Sequence, residues 1–267
     1  ANYEELANAW LGLYIQKIIL YSGEHGYTKF IESEEIHNDY LAPALDYVAK
    51  AAHESRRKGE KVNALHEAFW VAQKQSLTDA VALLDDLISE QKWDNEAVKY
   101  KAFLLSTLAV KHKESGQWAE AYDYFLASVE TYNQASEMAR SYPYNYSALC
   151  LMGLNLMEDA LQRTSENFET HATQTVQACE SFLVTLPGSV GVQNQLGMAY
   201  WLTAQWQLMQ GHSAQFAIDK ARFWNQKARK NMETNYGQTV AAYIQLVEAN
   251  ALTQQGLPVG DHLNLAL

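Results

Sequence analysis

Apolar residues recur at every third or fourth position along most of the chain, and glycine or proline interrupts the pattern repeatedly. This period predicts amphipathic α-helices, and the runs of β-branched residues that are typical of strands are nearly absent. The predicted helices lie at approximately residues 3–21, 28–36, 42–57, 60–75, 79–90, 97–114, 117–139, 146–168, 170–186, 190–210, 213–232 and 236–255. The pattern therefore favours an all-α fold.

Several residues are predicted to start these helices. Ser76, Thr78 and Asp94 stand just before apolar periodic segments, where a side-chain oxygen can accept a hydrogen bond from a free backbone N–H. Residues 37–39, His-Asn-Asp, are predicted to form a cap region before the next helix. Pro43 lies early in that helix, where its missing N–H costs little.

Other residues are predicted to end them. Gly59 and Gly116 each follow an apolar periodic segment, as a glycine beyond a helix C-terminus does, and Gly23 and Gly26 are predicted to stop the first helix. Pro143 biases the residue before it away from the helical region and predicts the clearest break in the middle of the chain.

Small residues recur in four predicted helices at an interval of 44 residues. They are Ala109, Gly153, Gly197 and Ala241. Large apolar residues flank each of them, except that His112 follows the first. A small residue lets a neighbouring helix approach, and the large residues beside it interlock with that helix. We therefore expect repeated helical hairpins, whose second helices present Ala121, Ala178 and Ala221.

The segment 105–125 resembles the tetratricopeptide repeat family. The large, small, turn and aromatic positions of that family are occupied by Leu105, Leu108, Ala109, Gly116, Ala121 and Phe125. Residues 196–200 match its Leu-Gly-x-x-Tyr core, and Pro187 stands where a repeat-ending proline is expected. The interval of 44 exceeds the family's period of about 34 residues, and Ser128 replaces the usual alanine.

The resemblance covers residues 97–256 and implies an α-α superhelix of stacked antiparallel helical hairpins. It predicts three parts: a divergent helical region at 1–95, the repeats at 96–256, and a tail at 257–267. The long interval is similar to the helical sensor regions of bacterial regulators and to repeat segments of bacterial signalling proteins.

The net charge of −11 argues against nucleic-acid binding, which relies on lysine and arginine to neutralise phosphates. No apolar run is long enough to cross a membrane, and the first residues lack the basic start of a secretory signal. Cys150 and Cys179 lie in apolar helical segments, where a buried thiol is the default, and a disulfide depends on whether their helices pair. With so few cysteines we expect a cytoplasmic protein.

The common signatures of catalysis are absent from the sequence. It contains no His-Glu-x-x-His, no Gly-x-Ser-x-Gly, no phosphate-binding loop and no dinucleotide glycine fingerprint. Adjacent pairs such as His66 and Glu67 point to different sides of a helix and do not converge. We expect a non-enzymatic chain without cofactor or metal; a helical enzyme whose residues meet only in the folded chain ranks last.

The resemblance places a partner-binding surface on the concave face, which the first helix of each hairpin lines. The predicted partner-binding residues are Val110, Lys113, Met157, Asn194, Met198, Trp201, Gln205 and Gln245. Together they describe an apolar groove with amide groups along one edge. Amides hydrogen-bond an extended backbone, and Met198 with Trp201 would take an apolar anchor. Packing between neighbouring helices is an equal alternative for each of these side chains.

The sequence thus predicts a scaffold that binds a protein or peptide segment. The alternative is a small-ligand sensor in which residues 196–243 enclose a cavity. Tyr142, Tyr144 and Tyr146 form a second candidate contact site if exposed, or a staple between repeats if buried. The apolar face from Trp10 to Ile19 is a candidate homodimer interface.

Overall fold

The computed structural model describes residues 2–25, 34–91 and 94–257, and every regular element in these ranges is helical. The predicted all-α class is therefore confirmed. The elements are α1 (Tyr3–His25), α2 (Glu34–Ile36), a π-helical turn (His37–Leu41), α3 (Ala42–Lys58), α4 (Ala64–Lys74), α5 (Leu77–Glu90), α6 (Asn95–Glu114), α7 (Trp118–Met138), α8 (Tyr144–Gln162), α9 (Phe168–Thr185), α10 (Val190–Met209), α11 (Gln215–Asn231) and α12 (Asn235–Gln254).

Most predicted helix ends are confirmed by their hydrogen bonds and dihedral angles. The Ser76 hydroxyl accepts from the Asp79 N–H, and the Asp94 carboxylate accepts from the Ala97 N–H. Gly59 and Gly116 adopt φ angles of +72° and +76°, which glycine reaches without steric cost.

Three of the predicted helix signals are wrong. α1 continues through Gly23 to His25, directly before Gly26, which lies outside the described residues. Thr78 lies inside α5 and does not cap it. Residues 37–39 do not cap a helix but lie in the π-helical turn, which joins α2 to α3 without interruption. Both residues that flank this turn, Ile36 and Ala42, have helical dihedral angles, so no helix end exists there to be capped.

The described helices group into two compact units that divide near residue 145, with α1 as far as Ser22 and α2–α7 in the first, and most of α8, together with α9–α12, in the second. This division differs from the predicted boundary at residues 95 and 96. α6 packs against α4 and α5 and brings Tyr100, Phe103 and Leu104 into the core of the first unit. The boundary at 95 and 96 stays a prediction about repeat similarity.

Aromatic rings form the centre of the first unit. The ring of Tyr14 on α1 meets the rings of Phe69 and Phe103 edge-on, at centroid distances of 5.9 and 6.4 Å. Ser128, which replaces the family's alanine, is buried on α7 and donates a hydrogen bond to the Ala102 carbonyl on α6.

This packing corrects the predicted dimer interface. Leu11, Tyr14 and Ile18 are buried in the core of their own unit, and Trp10 stacks on Tyr47 of α3. The face that was predicted to bind a second copy is therefore already covered by the chain itself; the side chain of Ile19 lies outside the described residues.

The second unit is arranged around α10, which contacts α9, α11 and α12. A Cβ atom at Gly197 would lie 3.4 Å from the Ala221 carbonyl oxygen on α11, and one at Gly153 would lie 2.2 Å from Oγ1 of Thr175 on α9. Small residues thus allow close helix approach at both positions, as the interval predicted. The superhelical arrangement stays a prediction.

A disulfide between Cys150 and Cys179 joins α8 to α9, with the two Cα atoms 4.9 Å apart. The default prediction of buried free thiols is therefore wrong. Periodicity placed each cysteine on a buried helix face, but only the pairing of the two helices brings them together.

Candidate functional site

α10 has an unusual composition for a helix of 20 residues, because it contains no charged side chain. Its first half is enclosed by the neighbouring helices, and every residue from Gly191 to Ala199 is buried. Only its second half reaches the surface, so a binding face on α10 is restricted to that half.

Four of the eight predicted partner-binding residues are buried and do not line an open surface. Met157 and Met198 belong to the core of the second unit, Val110 is buried on α6, and Asn194 is only 1% exposed. The prediction that these four side chains face a partner is corrected, because each is covered by the packing of the chain.

Asn194 instead takes part in a buried amide cluster at the junction of α10, α11 and α12. Nδ2 of Asn225 donates to the Gly237 carbonyl at 2.8 Å and lies 3.4 Å from Oδ1 of Asn194. Nδ2 of Asn194 is buried and has no hydrogen-bond partner among the described residues. The cluster joins three helices through polar contacts.

The other four predicted residues are half-buried. Lys113 lies near the end of α6 in the first unit. Gln245 lies on α12, Trp201 and Gln205 lie on the second half of α10, and of these three only Gln205 lines a groove between α10 and α12.

That groove, called here the α10–α12 groove, has a volume of about 400 Å³. It is lined by Gln205, Leu208, Met209, Val247, Asn250, Thr253 and Gln254. Amide and hydroxyl groups therefore alternate with apolar side chains along it. Such a lining offers hydrogen bonds to a peptide backbone and contact to apolar side chains at the same time.

An aromatic pair lies one helical turn before the groove. The rings of Trp201 on α10 and Tyr243 on α12 stack with centroids 4.8 Å apart. The indole Nε1 of Trp201 is buried without a hydrogen-bond partner in the described part of the chain. Nearby surface is apolar as well, since Met209 is 55% exposed and Leu246 is 42% exposed.

The groove also lacks charge. The one charged residue on α12 is Glu248, and its carboxylate pairs with Arg222 of α11. The repeated offsets did not point to Leu208, Met209, Asn250 or Gln254, because they mark one position in each helix that approaches a neighbouring helix and not the lining of a groove. The absence of charged residues along α10 is the sequence feature that could have indicated an uncharged groove beside this helix.

The tyrosine candidate is half-buried. The Nζ atom of Lys99 lies 4.2 Å from the ring centroid of Tyr142, whose ring is 5.4 Å from that of Tyr144. Burial, helped by the Glu96 carboxylate, raises the pKa of Tyr142 to about 12. Tyr142 therefore packs on α6 of the first unit and is not a freely exposed contact residue.

A second cavity lies between α3 and α4 in the first unit, with a volume of about 670 Å³. We call it the α3–α4 cavity; its lining includes Val48, Ala52, Arg56, Lys61, Glu67 and Trp70. Neither Arg56 nor Lys61 forms an ion pair with any described carboxylate. His66, also in the lining, is buried and donates from Nε2 to Oδ1 of Asn8 at 2.7 Å, and burial lowers its pKa.

Within the described ranges, no group of three histidine, cysteine, aspartate or glutamate side chains is placed to hold a metal ion. None of the helices described is both long enough and apolar enough to cross a membrane. The sequence matches no family model, and no curated protein or solved structure shows detectable similarity to it.

Proposed function

We propose that the chain is an interaction scaffold whose second unit binds an extended, uncharged segment of a partner protein in the α10–α12 groove. The observation that carries this proposal is the combination, on one side of two neighbouring helices, of amide groups, exposed apolar side chains and no unpaired charge. In this proposal the hairpins of the second unit stack as in a tetratricopeptide-like superhelix, and the groove is part of its concave face.

The chemistry of the groove defines the segment. Gln205 and Asn250 hydrogen-bond the backbone of the bound segment, and Met209 with Leu208 receives its apolar side chains. A charged side chain in the segment would lose water without gaining an ion pair, so the groove selects against it.

The test uses an array of uncharged 12-residue peptides rich in leucine, phenylalanine and asparagine. The peptide that binds best is then measured in solution by fluorescence anisotropy. Met209→Asp places a carboxylate in the groove and is expected to weaken binding at least about tenfold.

The matched control is Val184→Asp, which makes the same kind of change at a side chain of α9 that is 84% exposed and outside the groove. If Val184→Asp weakens the peptide as much as Met209→Asp does, or if neither changes binding, the groove is not the binding site.

A second candidate function is binding of a small organic anion in the α3–α4 cavity. Its volume is in the range of small-molecule sites, and its lining combines the indole of Trp70 with two cations that pair with no carboxylate in the described part of the chain. A panel of aromatic carboxylates is expected to raise the melting temperature of the wild type and of Arg57→Ala, but not of Arg56→Ala. Arg57 is the control because it lies next in sequence, outside the cavity lining, and contacts Glu54.

The disulfide bears on the predicted compartment. Disulfides persist in oxidising compartments and are rare in the cytoplasm. The link between Cys150 and Cys179 therefore favours an oxidising compartment over the predicted cytoplasmic one.

A further inference from the structure

α11 has two faces of very different composition. Its inner face carries Ala217, Ile218, Ala221, Asn225 and Ala228, which are all buried against the second unit. Its outer face carries the side chains that we call the α11 stripe: Phe216, Lys220, Phe223, Trp224, Lys227 and Lys230. An outer helix face in a soluble fold is ordinarily polar, so exposed aromatic rings there need a reason.

The aromatic rings of the stripe are unusually open. Phe216 is 67% exposed and Phe223 is 54% exposed. Lysine amines lie beside them: Nζ of Lys220 is 5.6 Å from the ring centroid of Phe216, and Nζ of Lys227 is 6.0 Å from that of Phe223 and 4.7 Å from that of Trp224. The stripe therefore repeats an aromatic-plus-ammonium unit along one helix face.

The lysines of α11 differ from its arginines in their contacts. Arg222 pairs with Asp219 and Glu248, and Arg229 pairs with Glu233, so both arginines are neutralised within the fold. Lys220, Lys227 and Lys230 form no ion pair with a described carboxylate. In a chain of net charge −11, three lysines without ion pairs on one short face form a local positive region.

The charge of the stripe limits what can cover it. A second copy packed stripe to stripe would place lysines against lysines, which is repulsive. A narrow acidic segment avoids this repulsion, because its carboxylates meet the lysines of the stripe.

We propose that the α11 stripe is a second binding surface, which takes an acidic segment of a partner protein with apolar side chains between its carboxylates. The positions from Phe216 to Lys227 span about 16 Å along the helix, a length that about five residues of extended chain cover. The carboxylates pair with the lysines, and the apolar side chains pack on the two phenylalanine rings. This surface is separate from the α10–α12 groove and does not depend on the function proposed for that groove.

The test uses the full chain and two synthetic 16-residue peptides, one with a repeated Glu-Leu-Asp-Phe sequence and one with a repeated Lys-Leu-Lys-Phe sequence. Fluorescence anisotropy is expected to detect the acidic peptide and not the basic one, with affinity that falls as salt is raised. Lys220→Glu/Lys227→Glu and, separately, Phe216→Ser/Phe223→Ser are each expected to weaken binding about tenfold or more. All four positions lie on the outer face, so circular dichroism is expected to show an unchanged helical content.

The matched control is Lys74→Glu/Lys111→Glu, which lowers the net charge by the same amount at exposed lysines of the first unit. Loss of binding in both stripe variants but not in this control supports the proposal. Equal weakening by the control, or by Met209→Asp in the groove, would overturn it. The last measurement is sedimentation of the chain with vesicles of phosphatidylserine and phosphatidylcholine. If the chain sediments with vesicles, the stripe variants do not, and the acidic peptide does not bind, the stripe contacts a membrane surface and the proposal is overturned.

Discussion

Glycines inside helices occur in this chain for different physical reasons, and replacing each by alanine is expected to distinguish these reasons. At Gly153 of α8 an added Cβ would lie 2.2 Å from Oγ1 of the buried Thr175. At Gly12 of α1 no atom lies within 4 Å of that position. Gly153 is thus required by helix packing, whereas Gly12 only lowers helix propensity.

We predict that Gly153→Ala lowers the free energy of unfolding by about 1–3 kcal/mol, because the core has no room for the methyl group. Gly12→Ala is expected to raise it by about 0.5–1 kcal/mol through helix propensity. Urea unfolding followed by circular dichroism measures both. Thr175→Ala should restore part of the loss in Gly153→Ala; equal effects of the two glycine substitutions would show that the close approach of α8 and α9 is wrong.

His66 predicts a pH dependence of stability. Burial lowers its pKa in the folded chain, although the Glu4 carboxylate opposes the shift. The neutral ring is therefore favoured in the folded state, so its contribution to stability is complete above the unfolded pKa of about 6.5 and is lost as the pH falls below that value. The free energy of unfolding of the wild type is expected to drop from pH 7 to pH 5 more steeply than that of His66→Gln.

The exposed His53 on α3 provides the control for the substitution itself, and His53→Gln is measured over the same pH range. A slope for His66→Gln equal to that of the wild type would mean that acid sensitivity comes from other groups. His171 of the second unit, whose pKa burial also lowers, is expected to contribute a part that persists in His66→Gln.

Individual binding residues were the part of the molecule that sequence patterns predicted least well. Periodicity assigns a residue to a helix face but does not say how many neighbours cover that helix. Asn194 and Met198 are buried because α10 is enclosed by α9, α11 and α12. Gln205 lines the α10–α12 groove because it lies beyond the enclosed half, and its role in partner binding stays a prediction.

At the scale of single helices, the positions of the helix ends depend on local chemistry, and several of them were therefore predicted correctly from the sequence. A cap or a left-handed glycine is a property of a few neighbouring residues, and Ser76, Asp94, Gly59 and Gly116 were predicted from such signals. The π-helical turn at His37–Leu41 was missed, because polar residues within a continuous helix resemble a cap in sequence.

The turn between α6 and α7 offers a test of this local control. Gly116 has a φ angle of +76°, and an added Cβ would meet no atom within 4 Å, so a substitution there is opposed by backbone strain alone. Gly116→Ala is expected to lower the free energy of unfolding by about 1–2 kcal/mol, and Gly116→Asn by less. Gly188→Ala is the matched control, because Gly188 has equal space without a positive φ angle, and it should change stability little. Equal losses at the two positions would rule out strain at Gly116 as the cause.

At the scale of the whole molecule, the 44-residue interval and the division into compact units describe different properties. Gly153 and Gly197 both allow close contact with a following helix. α6, which follows the predicted boundary at residues 95 and 96, shares the aromatic core of the first unit, and the units divide near residue 145. Sequence similarity between repeats and the extent of a shared core are different properties, and only the second defines a compact unit.

The disulfide provides a test of whether the two compact units unfold separately, because both of its cysteines lie in the second unit. The link closes a segment with a sequence separation of 29 residues, and in the chain-entropy account it contributes about 3–4 kcal/mol. We predict that Cys150→Ala/Cys179→Ala lowers hydrogen-exchange protection of α8 and α9 and leaves α4 and α5 close to the wild type.

Hydrogen-exchange mass spectrometry of the wild type, with and without a reductant, compares the protection of α8 and α9 with that of α4 and α5 without any substitution. Alkylation of the denatured wild type before reduction should label neither cysteine. Two alkylated cysteines would contradict the disulfide itself. An equal loss of protection in α4 and α5 would instead mean that the two units unfold together. A disulfide within the second unit changes the opening free energy of the first unit only if both units unfold in one cooperative transition.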